Sequence, residues 1–197
     1  MVLGDTSLPT WVRSVSALAF VVAGVGALGN QVLHQLGSAA VFLDLTIILT
    51  YGGVTLGLLG IYSHLAEASP RLARAGLVAV VITVVSIVLA IVGKGLFGAE
   101  PTGVGVLVSI VLSVSFYLCS SLSFLLFGVA CVRTRVPSRT VGYLLLVAVL
   151  SRVLVVGGVT EVASSLLAVS MLGAGYLLWT GQFPTERGRP QLDPTTR

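Results

Sequence analysis

Residues 75–93 read AGLVAVVITVVSIVLAIVG, an apolar run that contains no charged residue. At about 1.5 Å per residue, a helix over the surrounding residues 72–97 is longer than the ~30 Å hydrocarbon layer of a bilayer. A run of this length exceeds what a buried helix of a small soluble domain needs. It therefore predicts a transmembrane helix.

Five further apolar runs have a similar character, and they predict an all-α, polytopic bundle of six transmembrane helices. All prolines lie outside the six runs, as expected if the runs are helices that cannot spare a backbone N–H. Residues 1–181 are thus predicted to form a single transmembrane domain, and the polar tail 182–197 is predicted to be cytoplasmic and disordered. The other runs cover residues 11–29, 39–62, 104–132, 140–156 and 162–180. The predicted N-caps are Ser69, Thr102, Ser138 and Thr160, with Glu161 adding first-turn charge.

The composition excludes a water-soluble protein. Of 197 residues, 56% are apolar and 9% are charged, and the mean hydropathy is +1.07. So few charges would leave large apolar patches in water. The sequence pI is about 9.5, but the cations form no stripe with interleaved aromatics, so no nucleic-acid partner is expected. Cys119 and Cys131 are predicted to be small helix residues without a disulfide or metal role.

The distribution of cations predicts the orientation of the bundle. Every arginine except Arg152 lies on the side of the two termini, whereas Lys94 and Arg152 lie on the other side. Positive charge favours the cytoplasmic side, so both termini are predicted to be cytoplasmic in a plasma-membrane protein. An alternative is that the first run is a cleaved signal peptide, because Arg13 precedes it. Four aromatic residues, Trp11, Tyr62, Tyr143 and Trp179, fall at the predicted cytoplasmic boundary, where amphipathic rings are enriched.

Residues 24–29 match a G-x-G-x-x-G pattern, and Asp44 lies twenty residues after Gly24. This is the fingerprint of a dinucleotide-binding βαβ unit. No parallel sheet follows it, because the chain after Asp44 simply remains apolar. The alternative, which we favour, is a face of small residues on which another helix packs closely. Similar faces are predicted in the next three helices. They are Thr46, Thr50, Gly53, Gly57 and Gly60; Ala79, Thr83, Ser86, Ala90 and Gly93; and Ser109, Ser113, Tyr117 and Ser120.

Hydroxyl groups near the middle of these helices suggest a second interpretation, a ligand pocket. Two adjacent glycines, Gly52 and Gly53, follow Tyr51 at the centre of its run, and Tyr117 is central in the fourth run. A pocket at this depth would have the predicted border Tyr51, Ser86, Tyr117 and Ser120. The packing interpretation of the same residues stays open beside it.

Of all residues in the sequence, Arg152 has the highest expected free-energy cost of placement in a membrane. It lies twelve residues after Thr140, about 18 Å along the helix and slightly beyond the membrane midplane. A charge there costs about 3 kcal/mol or more. We therefore expect Arg152 to point into the bundle and to pair with Asp44 or Glu161. Lys94 lies close enough to its helix end to reach the interface.

Sequence motifs typical of catalysis are missing. The sequence has no G-x-S-x-G, H-E-x-x-H or phosphate-binding loop, and His34 and His64 lie near opposite membrane faces. No metal, no cofactor and no catalytic residue is predicted, and an enzyme is the least favoured class.

The fourth loop carries a recognisable pattern. Residues 124–128 read FLLFG, Arg133 to Arg139 include Pro137, and residues 142–146 read GYLLL. This order resembles a pattern in small six-helix multi-pass membrane families of bacteria and archaea whose activity is uncharacterised. The resemblance covers about 25 residues. It implies a six-helix bundle and supplies no catalytic residues.

Two functions follow as hypotheses. The first is a non-enzymatic accessory subunit that binds another membrane protein or a second copy of itself, supported by the extensive small-residue faces. The second is a carrier of a small solute or lipid, with a polar cavity in the outer half around Asp44, Tyr117 and Arg152. Membrane lipids are expected contacts in both.

Overall fold

Each predicted run forms one helix in the computed structural model, which describes residues 10–37, 40–97 and 103–181. The helices are α1 (Thr10–Gln35), α2 (Ala40–Ala68), α3 (Pro70–Phe97), α4 (Val104–Thr134), α5 (Arg139–Val156) and α6 (Thr160–Thr180). The fold is therefore all-helical, as predicted. The tail 182–197 and the side chain of Lys94 lie outside the described part, so the predictions about them stay predictions.

Two helices are longer than hydropathy predicted. Helix α1 continues to Gln35 and not to 29, and α2 continues to Ala68 and not to 62. Hydropathy falls where polar side chains begin, whereas the ladder of backbone hydrogen bonds continues through them. The extra turns of α1 carry polar side chains that become important at the candidate site.

All six helices are long and apolar enough to cross a membrane. The outside of the bundle is covered with large apolar side chains; Val156 is 76% exposed and Trp11 is 70% exposed. Soluble proteins rarely expose contiguous apolar surface of this extent. Both observations support a membrane protein.

The helices form a closed ring in chain order. Each helix packs on its neighbours in sequence, and α1 packs on α6 to complete the circle. Among these pairs, α2 and α3 share the least extensive contact, and α2 also touches α4. We call the end of the bundle where α1, α3 and α5 end the cavity end.

The small-residue faces bring helix backbones into close contact within the bundle. A Cβ added at Gly53 of α2 would lie 2.5 Å from the carbonyl oxygen of Ala19 on α1, and one at Gly26 would lie 2.7 Å from Thr50 Oγ1. Gly24 meets Leu172 of α6 in the same way. Because residues 24–29 are helical and pack on α2 and α6, the small-face interpretation of the G-x-G-x-x-G pattern is confirmed.

The helix starts agree in part with the predicted caps. Ser138 caps α5, since its Oγ accepts a hydrogen bond from the backbone N–H of Val141 at 3.2 Å. The prediction for Thr160 was wrong, because Thr160 is the first residue of α6 and Val159 occupies the cap position. Thr102 lies outside the described residues, and Gly103 is the cap of α4. Helix α3 begins at Pro70 directly after Ser69, as predicted.

Replacing Ser138 by alanine is expected to lower the free energy of unfolding by about 1 kcal/mol, because a buried N–H at the start of α5 loses its acceptor. Ser138→Thr keeps the acceptor and serves as the control. Thermal unfolding in detergent, followed by size-exclusion chromatography, measures both. Equal losses in the two variants would contradict a capping role.

Candidate functional site

Arg152 lies inside the bundle, about one turn before the end of α5, and is 4% exposed. Its Nη1 donates a hydrogen bond to the hydroxyl of Tyr51 on α2 at 2.6 Å. The guanidinium also lies 4.9 Å from the ring centroid of Tyr51 and 5.8 Å from that of Phe124. Aromatic faces at these distances stabilise a cation that has left water.

The rest of the guanidinium is not satisfied by the protein. Within the described part of the chain, neither Nε nor Nη2 of Arg152 has a hydrogen-bond partner. The sequence led us to expect a carboxylate from Asp44 or Glu161 there, and neither one bonds these two nitrogens. The Tyr51 hydroxyl accepts a hydrogen bond from Nη1 in place of the expected carboxylate, and it bonds no other nitrogen of Arg152. An arginine fork that is buried and only partly bonded is energetically costly, so it calls for an explanation.

Arg152 lines a cavity of about 330 Å³ that lies between the helices at the cavity end of the bundle. The volume falls at the lower end of the range for small-ligand sites, about 300–1,000 Å³. Five helices contribute to its wall, all except α3. Its lining residues are Ala27, Asn30, Gln31, His34, Gln35, Ile47, Thr50, Tyr51, Phe116, Tyr117, Ser151, Arg152, Val155, Thr160, Glu161, Ala163, Ser164 and Leu167.

Two amides of α1 offer donors to this cavity. Asn30 Oδ1 accepts a hydrogen bond from Thr46 Oγ1 at 3.1 Å, and Gln31 Oε1 accepts one from Ser165 Oγ at 3.1 Å. Ser165 Oγ also lies 3.0 Å from the carbonyl oxygen of Glu161, and its single hydrogen can serve only one of these two acceptors. The amides can therefore either donate or accept a hydrogen bond in the cavity.

Two hydroxyl groups in the wall are bonded within their own helices. Thr50 Oγ1 donates to the carbonyl of Thr46 at 2.7 Å, and Ser151 Oγ donates to that of Ala148 at 2.7 Å. Such bonds to the preceding turn satisfy the hydroxyl hydrogen locally. Tyr51 differs, since its oxygen accepts from Arg152 and its own hydrogen remains a donor.

Apart from the two tyrosines, the other ionisable side chains of the cavity wall are His34 and Glu161, and both are exposed, in contrast to Arg152. They lie near the end of α1 and the start of α6, at the mouth of the cavity. Screening by solvent is stronger at an exposed site than at a buried one. Positive charge therefore dominates the inner part of the cavity and Glu161 acts at its rim.

The structure divides the predicted site residues among three neighbouring spaces. Tyr51, Tyr117 and Arg152 line the cavity together. Asp44 and Ser86 line a separate groove of about 180 Å³, which Tyr117 also borders. Ser120 lies beside Tyr51 in a gap of only about 10 Å³. The predicted pocket residues are thus close neighbours, but no single space holds all of them.

Sequence reasoning missed the polar face of α1. Asn30, Gln31 and His34 were placed in a loop, because the first run was ended at residue 29. Helix α1 in fact continues, and the spacing of three and four residues puts these side chains on one face towards α6 and α2. The signal was available in the sequence as amides and a histidine at helical spacing.

Metal chemistry has no evident ligands in the described ranges, where no group of three His, Cys, Asp or Glu side chains is close enough to hold an ion. The arrangement that does exist is an arginine fork, a tyrosine hydroxyl and two amides around one cavity. Hydrogen-bond donors with one positive charge suit the binding of an oxyanion.

In comparisons with known proteins, no family model matches the chain, and no curated protein or solved structure matches it.

Proposed function

We propose that this protein is a membrane-embedded binding protein or carrier for a small solute or lipid that bears an oxyanion, a carboxylate or a phosphate. The observation that carries the proposal is Arg152, which lines the cavity and whose buried Nε and Nη2 have no hydrogen-bond partner in the described part of the chain. These two nitrogens share one side of the planar guanidinium, the geometry that binds two oxygens of one anion.

Energetics support a ligand at this position. A charge taken out of water is destabilising unless it is paired and hydrogen-bonded, and Tyr51 supplies one bond to a group that can make five. An anion on Nε and Nη2 would complete the pairing and neutralise the charge. The hydroxyl hydrogen of Tyr51, which Arg152 does not use, is a further donor in the same cavity and favours the same sign of ligand.

The proposal includes the orientation expected from the sequence, with both termini cytoplasmic in the plasma membrane. The arginine bias of the terminal side supports it. Exposed Trp11 and Trp179, which lie at the end opposite to the cavity, support a membrane–water interface there. In this orientation the cavity opens towards the outside of the cell.

The accessory-subunit hypothesis has less support. It rested on small-residue faces in excess of what one bundle needs, but much of these faces is filled by helices of the same chain. Gly53 meets Ala19, Gly57 meets Phe20 and Gly60 meets Ser16. A binding partner of the same chain or another membrane protein is therefore not needed to explain them.

The proposal predicts that Arg152→Met weakens the binding of anions by at least about tenfold, because a hydrogen bond to a charged group contributes ~1.5–3 kcal/mol. Binding of octyl phosphate and of inorganic phosphate to purified protein is measured by native mass spectrometry and by the rise of the thermal unfolding temperature. Wild-type protein is expected to bind at least one of the two probes. Tyr51→Phe, which removes the partner of Nη1, is expected to have a smaller effect.

Arg71→Met is the matched control, since Arg71 is exposed at the start of α3 and the substitution removes the same charge. It should leave binding unchanged. If Arg152→Met bound both probes as tightly as wild-type protein, or if folded wild-type protein bound neither of these phosphates nor acetate or decanoate, an oxyanion site at Arg152 would be refuted.

A further inference from the structure

A groove on the side of the bundle lies next to the cavity. Helices α2, α3 and α4 form it where α2 and α3 make their least extensive contact, and its volume is about 180 Å³. Two of its lining residues are substantially exposed on the outer surface of the bundle, Ile48 (47%) and Ile91 (45%). Its lining residues are Asp44, Ile47, Ile48, Ser86, Ile87, Ala90, Ile91, Leu112, Ser113, Phe116 and Tyr117.

The groove and the cavity share one wall. Ile47, Phe116 and Tyr117 line both spaces. Phe116 packs edge-on against Tyr51 with ring centroids 4.7 Å apart, and Tyr51 in turn holds Arg152. A molecule that contacts Arg152 in the cavity is thus separated from the groove by a layer of two aromatic side chains and one isoleucine.

The chemical character of the two spaces differs. The cavity carries the buried arginine and amides, whereas isoleucine, leucine, alanine and phenylalanine make up most of the groove. Asp44 is the charged residue among the groove-lining residues, whereas the cation that could hold an anion is Arg152 in the cavity. The negative charge of a ligand is therefore directed to Arg152, and an apolar chain is directed to the groove.

From this juxtaposition we infer that the ligand is an anionic amphiphile, a lipid or fatty acid, whose oxyanion binds Arg152 in the cavity while its chain lies in the groove between α2, α3 and α4. The chain passes the wall at Phe116 and Tyr117, whose side chains move aside to admit it. The inference rests on the proposed oxyanion site, and it adds the class of ligand and the path by which the ligand enters from the bilayer.

The first test compares ligands that have the same headgroup with and without a chain. Dioctanoyl phosphatidic acid is paired with glycerol 3-phosphate, and decanoate is paired with acetate. Each is titrated into protein in phosphatidylcholine nanodiscs, and binding is followed by native mass spectrometry and thermal unfolding. At least one amphiphile is expected to bind tenfold or more tightly than its water-soluble counterpart, and Arg152→Met is expected to abolish that binding.

The second test blocks the groove. Ser113 lines it and is exposed, so Ser113→Phe fills the groove without filling the core. Its neighbour Val114 is 51% exposed and does not line the groove, so Val114→Phe is the matched control. Partition of the amphiphile into the nanodisc is common to both variants. Ser113→Phe should lose at least tenfold in affinity for the amphiphile, and Val114→Phe should bind as wild-type protein does. Ala90→Phe fills the groove from the opposite wall, so it provides a second, independent test of the same loss of affinity.

The outcomes separate the inference from the proposed function. If water-soluble anions bound as tightly as the amphiphiles and the groove variants changed neither, while Arg152→Met weakened both, the amphiphile would be refuted and the oxyanion site would stand. If Ser113→Phe and Ala90→Phe both folded and retained full affinity for an amphiphile, the groove would be refuted as the place of the chain. If Arg152→Met changed no binding, the proposed function and this inference would fail together.

Discussion

Replacing Gly53 by alanine is expected to destabilise the bundle by up to about 2 kcal/mol. The added Cβ would lie 2.5 Å from the carbonyl oxygen of Ala19 and 2.8 Å from the backbone nitrogen of Ala23. These are backbone atoms of α1, so no side-chain rotation relieves the contact, and the two helices must move apart. Overpacking of this kind costs about 1–3 kcal/mol or more, and the propensity gain of alanine over glycine offsets about 1 kcal/mol of it. Unfolding by heat and by increasing sodium dodecyl sulfate measures the loss.

The neighbouring glycine provides the control for this variant. A Cβ at Gly52 meets nothing within 4 Å, and Gly52 is exposed. Gly52→Ala is therefore expected to stabilise the protein by up to about 1 kcal/mol through helix propensity alone. Two adjacent glycines with opposite responses would establish the α1–α2 contact. A destabilisation of equal size at both positions would contradict it and would indicate a kink of α2 at the glycine pair.

The second large effect is expected for Phe20→Ala, at about 3–5 kcal/mol. Phe20 is fully buried in the core, where its ring lies against Gly57 of α2. In a bilayer, dispersion contacts between closely packed side chains contribute much of the stability, and alanine leaves a cavity where the ring was. Leu18→Ala, at a position 58% exposed on the same helix, should change the free energy of unfolding by less than about 1 kcal/mol.

A double-mutant cycle makes this prediction specific to one contact. A Cβ at Gly57 would lie 2.8 Å from the ring of Phe20, so Gly57→Ala alone is expected to be destabilising. In the Phe20→Ala background the ring is gone, and Gly57→Ala should then cost little or fill part of the cavity. Effects that simply add would mean that the ring and the glycine do not interact.

The architecture was predictable because the hydropathy of a helix and its packing face are both determined by consecutive residues of the sequence. The third run and its five counterparts were each read correctly as one helix, since a membrane-length apolar run has few alternatives. The small residues between 19 and 27 were read correctly as a packing face, because periodicity alone defines it. The predicted α1 and α2 end too early, because the composition becomes polar several residues before the backbone hydrogen bonding of the helix stops.

The candidate site was predictable only in part. Arg152 was recognisable from its cost in a membrane, and its burial bears that out. Its partner depends on the rotation of α2 relative to α5, which brings Tyr51 to Nη1 where a carboxylate was expected. The separation of Ser86 from the cavity depends in the same way on how three helices are placed. The spacing of residues in the sequence defines the faces of one helix, but it carries little information about how that helix is rotated and placed relative to the others.

The close contacts of α4 have a mechanical consequence. Gly128 of α4 approaches Gly142 of α5, and Phe127 packs on Gly76 of α3, all far from the cavity end. Near the cavity end the same helix exposes much of its surface, including Leu107 (64%). A tilt of α4 about these close contacts therefore displaces its other end the most. Ser113 lies about 22 Å from Gly128 along the helix, so each degree of tilt displaces it by roughly 0.4 Å. A tilt of five degrees about these contacts would therefore move Ser113 by roughly 2 Å, so the width of the groove depends on the tilt of α4.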